Sequence, residues 1–75
     1  MEADEWLQRF AAKLGIDPPS HDEQNLLLGL AGVAAHASER TAAPISCWLA
    51  SRAGVSLVEA SAAARELAAE LETEP

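Results

Sequence analysis

Residues 20–39 read Ser20-His21-Asp22-Glu23-Gln24-Asn25, then Leu26-Leu27-Leu28-Gly29-Leu30-Ala31-Gly32-Val33-Ala34-Ala35, then His36-Ala37-Ser38-Glu39. The opening has S-x-x-E spacing. There a serine hydroxyl accepts from the backbone N–H three residues on, while the glutamate reaches back to the serine N–H. The middle has almost no polar side chain, does not alternate at period two as a half-buried strand would, and is about half the length of a membrane span. A helix that is apolar on all sides is a central one, packed by several neighbours. The stretch therefore predicts a central helix over 21–39. Gly29 and Gly32 each weaken it by roughly 1 kcal/mol relative to alanine, and their use in this reading is to admit a neighbouring helix.

Three further helices are read outward from this one. The first covers about 4–14, where Trp6, Leu7, Phe10, Ala11 and Leu14 recur at helical spacing. Gly15 supplies the left-handed stop with Ile16 folded back, and Asp17-Pro18-Pro19 forbids continuation. The third runs over 44–53 from Pro44, a residue favoured at a first helical position, with Ile45, Trp48, Leu49 and Arg52 on one side. Gly54-Val55 repeats the stop. The fourth covers 57–71 behind Ser56-Leu57-Val58-Glu59, again with capping-box spacing, and carries an apolar stripe of Ala60, Ala63, Ala64, Leu67, Ala68 and Leu71. Residues 72–75 read as a frayed acidic tail. The short links favour antiparallel neighbours, so residues 1–75 form one all-α, compact four-helix domain with the second helix central.

The totals agree with this. Apolar residues are 49% of the 75, but many are alanine, which suits close helix packing better than a sheet. A chain this short buries only about 60% of its unfolded surface. Twelve acids against five bases give a net charge of −7. Phosphate backbones require a clustered basic face, which these bases, spread along the chain, do not form. Nucleic acid and membrane are thereby excluded as partners. The acidic beginning, Met1-Glu2-Ala3-Asp4-Glu5, differs from the basic and apolar secretory pattern, and the expected location is cytoplasmic.

Several groups invite a chemical reading. His36 and Arg40, four apart, share a face just before Pro44, where a helix begins. Together with that terminus they would surround a small anion such as phosphate or a nucleotide. The plainer reading has both side chains bonding the free carbonyls of the preceding helix and offsetting its dipole. Cys47, near the start of the third helix, is either a dipole-activated thiol or a small apolar packing residue. His21, Asp22 and Glu23 are adjacent and diverge on a helix, so no metal spacing is recognised. A carrier-like reading of Ser56-Leu57 lacks the preceding aspartate, and Ser56 already serves as a cap.

The chain as a whole resembles a family of small helical bacterial domains of unknown function. That domain is also found fused behind the guanylyltransferase of molybdenum cofactor synthesis. The matching residues are Asp4-Glu5-Trp6, Leu14-Gly15-Ile16-Asp17, Leu27, Leu30-Ala31, Trp48-Leu49 and Ala53-Gly54. The most specific segment is Ala35-His36 with Glu39-Arg40-Thr41-Ala42-Ala43-Pro44-Ile45, although Thr41 stands where members tend to carry proline.

The resemblance implies a context, molybdenum cofactor maturation or the enzymes that use that cofactor, and the residues themselves suggest no cofactor of the chain's own. With no catalytic constellation visible, the expectation is a non-enzymatic accessory or protein-interaction module. Its partner would be a molybdenum cofactor maturation enzyme or a second copy of the chain. His36, Arg40, Pro44 and Trp48 are the residues expected at the contact. An anion- or nucleotide-binding domain is the alternative, and an acyl-carrier-like protein a minor one.

Overall fold

The computed structural model describes residues 1–74, and among them every regular element is helical: α1 Ala3–Leu14, α2 His21–Ala37, α3 Ala42–Ala53 and α4 Leu57–Thr73. The all-α four-helix architecture is as expected, and α2 is its centre. It packs along both α3 and α4, while α1 makes no comparable contact with any of the three. The assembly measures 46 × 25 × 18 Å.

Local chemistry sets the helix ends. At α1, Gly15 adopts φ 74°, and two bonds close the stop: Gly15 N–H to the Ala12 carbonyl at 3.1 Å and Ile16 N–H to that of Ala11 at 3.0 Å. This is the paired Schellman pattern, which needs a left-handed residue that glycine adopts without a Cβ penalty. Gly54 at φ 72° ends α3 in the same region. At α2 the capping box is complete. The Ser20 hydroxyl accepts from Glu23 N–H at 3.1 Å, and the Glu23 carboxylate accepts from Ser20 N–H at 2.8 Å. At α4 only half of the expected box forms, because Ser56 accepts from Glu59 N–H but no reciprocal bond returns.

Four expected boundaries shift. α1 begins one residue earlier, at Ala3. α2 ends at Ala37 rather than residue 39, since Ser38 leaves helical geometry at φ −133°, ψ −106°. The carbonyls of Glu39 and Arg40 then accept from Ala42 and Ala43 at 2.9 and 3.1 Å, which starts α3 two residues before Pro44. Proline is tolerated there because first-turn N–H groups have no intrahelical acceptor. At the other end, Glu72 and Thr73 are helical rather than frayed. The Thr73 hydroxyl donates to the Glu70 carbonyl at 2.9 Å and holds the last turn. Pro75, the end of the expected tail, lies outside the described residues.

The core is thin. Leu30 of α2 and Ala60 of α4 are buried at its centre with Ser61, and Ala11 is buried on α1. On α1 only Ala11 and, partly, Leu7 turn inward; Leu7 and Gln8 border a small hollow with Pro18, Pro19 and Gln24. Gly29 and Gly32 do not serve the close approach expected of them, because a Cβ added at either would meet nothing within 4 Å. They leave a cleft between α2 and α4 open instead.

Candidate functional site

His36, Arg40 and Pro44 are all exposed. His36 lines the α2–α4 cleft of about 560 Å³, whose walls include Gly29, Gly32, Val33, Leu71 and Glu72 but neither Arg40 nor Pro44. The start of α3 offers an anion little. The Ala42 and Ala43 N–H groups are bonded inside the turn, and Pro44 has none. Any anion at this corner would rest on the Arg40 side chain rather than on a cradle of backbone donors. Among the described residues the one ion pair is Arg9–Glu5 at 2.8 Å, so Arg40 does not pair with Glu39.

The fourth expected residue, Trp48, belongs to a different kind of surface. Ile45, Trp48 and Leu49 do share one side of α3, as their spacing requires, but that side faces outward. Trp48 is 59% exposed, and the Arg52 guanidinium carbon lies 5.6 Å from its ring centroid. Such a cation–π pair covers part of an aromatic face while leaving the rest to solvent or a partner. The inward side of α3 carries smaller groups: Ser46, Cys47 and Ala50 are half-buried. The Cys47 thiol sits 4.0 Å from the Leu27 carbonyl, in the α2–α3 seam and beyond the first turn of α3. Packing describes Cys47 better than reactivity does.

Two more apolar surfaces complete the picture. Trp6 and Phe10 stack on the outside of α1, with centroids 5.8 Å apart and planes at 20°. A shallow hollow beside the two rings is bordered by Arg9 and Lys13. Between α3 and α4 runs a groove of about 320 Å³ walled by Leu49, Val55, Ala63 and Leu67, with Leu30 and Ala60 at its base. The sequence marks these residues as apolar stripes without saying which of them are covered. Helical spacing marks an apolar face; it does not say whether the neighbour that covers it lies in the same chain.

The capping residues are engaged as caps. Two hydrogen bonds hold the Glu23 carboxyl below its ordinary pKa, the larger effect coming from the Ser20 backbone N–H and the next from the Ser20 hydroxyl. Ser56, the residue of the carrier-like alternative, has its hydroxyl oxygen on Glu59 N–H at 3.1 Å. Among the described residues no three His, Cys, Asp or Glu side chains are grouped as metal ligands would be, and no helix is long and apolar enough to cross a membrane.

The family described as Domain of unknown function (DUF6457) matches residues 1–75. Neither a curated protein nor a solved structure matches the chain.

Proposed function

The chain belongs to the DUF6457 family, and from that premise we propose that it is a cytoplasmic, non-enzymatic protein-interaction module of bacterial molybdenum cofactor maturation, with the guanylyltransferase of that route as its partner. One observation carries the interaction reading: the large apolar side chains lie outside. Trp6, Phe10, Ile45, Trp48 and Leu49 are exposed, whereas among the described residues the buried apolar set is Leu30 with two alanines. Large apolar side chains grouped on exposed helix faces of a small domain mark contact sites, and a tryptophan bordered by arginine is a common anchor. The named partner rests on the resemblance of the Ala35–Ile45 segment and of Trp48-Leu49 to the domain fused behind that enzyme.

The contact is assigned to the outer side of α3, with Arg40 and Pro44 at its leading end and His36 just before them at the end of α2. Native mass spectrometry of the purified chain with the purified guanylyltransferase tests the reading. A stoichiometric complex that Trp48→Ala weakens at least about tenfold, as loss of an anchor should, is the expected result. An enzyme that remains alone at every ratio contradicts it.

A further inference from the structure

The chain exposes 5,994 Å². A monomeric globular protein of its mass, 7.9 kDa, exposes only about 4,400 Å². The excess, about 1,600 Å² per chain, is more than the roughly 1,000 Å² that each subunit contributes to a small obligate homodimer. Two apolar features account for part of it. One is α1, which projects from the other three helices with Trp6, Phe10 and Leu14 uncovered. The other is the α3–α4 groove.

Their flanks are complementary in charge. Arg9 lies one helical turn from Trp6, and Lys13 one turn from Phe10, so the α1 stripe has a basic edge. Ala63, in the groove wall, lies one turn from Glu59 and one turn from Glu66, and Glu70 continues that row. The α4 wall of the groove therefore has an acidic edge, while Arg52 lies one turn from Leu49 on the α3 wall. Glu5 already engages Arg9 at 2.8 Å, but among the described residues Lys13 has no ion-pair partner.

We infer that the occupant of the groove is α1 of a second copy of this chain. Each copy seats Trp6, Phe10 and Leu14 against Leu49, Val55 and Leu67 of the other, with Lys13 beside Glu66. The exchange is reciprocal, so it closes on a two-fold axis and leaves no groove free for further growth. On the outer side of α3 the dimer covers Leu49 at the groove edge and leaves Ile45 and Trp48 open for the enzyme partner proposed above.

Light scattering of the full chain is expected to give twice the mass of a single chain. The Trp6→Ala/Phe10→Ala variant, with helical content unchanged by circular dichroism, is expected to weaken the dimer by more than about tenfold. In a Cys47→Ser background, a Lys13→Cys chain mixed with a Glu66→Cys chain is expected to form an interchain disulfide that neither forms alone. A single-chain mass at all concentrations overturns the inference. So does a dimer that survives the double substitution, or one that cross-links only between like positions. The inference rests on the reading of the protein as an interaction module yet fails separately from it: a monomer that still binds the guanylyltransferase removes the dimer alone, and a dimer that ignores the enzyme upholds the dimer and removes that partner.

Discussion

Trp6 and Phe10 lie one helical turn apart on α1, their rings 5.8 Å between centroids and 20° from parallel, and neither is covered by another helix. The pair is stabilised locally, by an i,i+4 contact worth a few tenths of a kcal/mol, and contributes little to the core. Trp6→Ala should therefore change the stability of the isolated chain by no more than about 0.5 kcal/mol, the ordinary range for a surface position. Chemical denaturation at a concentration that favours the single chain measures it. A loss of several kcal/mol would mean that the ring is buried.

Gly29 and Gly32 occupy the interior of α2, where a Cβ would meet nothing within 4 Å. Alanine is better than glycine in a helix interior by about 0.8–1.0 kcal/mol. Each Gly→Ala change should raise the melting temperature by about 4–8 °C, the shift that 1 kcal/mol brings in a domain of this size. Calorimetry checks this. A fall in melting temperature would show that the α2–α4 cleft closes more tightly on these positions.

The Ser20–Glu23 box couples α2 to pH. Glu23 has a lower pKa folded than unfolded, because its charged form accepts from the Ser20 N–H and hydroxyl. Its contribution is complete above the unfolded-state glutamate pKa and fades as pH falls through the lower, folded value. Glu23→Gln should remove that part of the acid dependence and leave the alkaline side of the profile unchanged. Ser20→Ala should cost about 1 kcal/mol near neutrality, as N-cap removal does. Urea titrations across the acidic range check both.

Phosphate and guanine nucleotides should leave the melting temperature where it is. Ligands stabilise by binding the folded state, and the α3 terminus has its Ala42 and Ala43 donors bonded internally and a proline next. A rise of several degrees, lost in Arg40→Ala, would favour an anion site at that corner.

Much of the fold was legible because punctuation is local. Gly15, Gly54, Ser20 and Ser56 act within one turn of themselves, and each stops or starts its helix where the residue type requires. The apolar girth of α2 likewise revealed its central place. Pro44 misplaced the start of α3 because the Glu39 and Arg40 carbonyls, which no side-chain pattern reports, begin the turn earlier. The stripes of α1 and α3 were visible as stripes, yet Trp6, Phe10, Ile45 and Trp48 face outward. Periodicity encodes the need for a cover and is silent on which chain provides it.

Tryptophan fluorescence in two single-tryptophan chains reads whether these outward faces are contact surfaces. Trp48→Phe leaves Trp6 as reporter, and Trp6→Phe leaves Trp48; each ring is nearly 60% exposed in the single chain. Emission from Trp6 should shift to the blue as chain concentration rises and return on dilution. Emission from Trp48 should shift only when the guanylyltransferase is added. Two tryptophans that keep the emission of a water-exposed indole under both conditions would show that neither face is a contact surface.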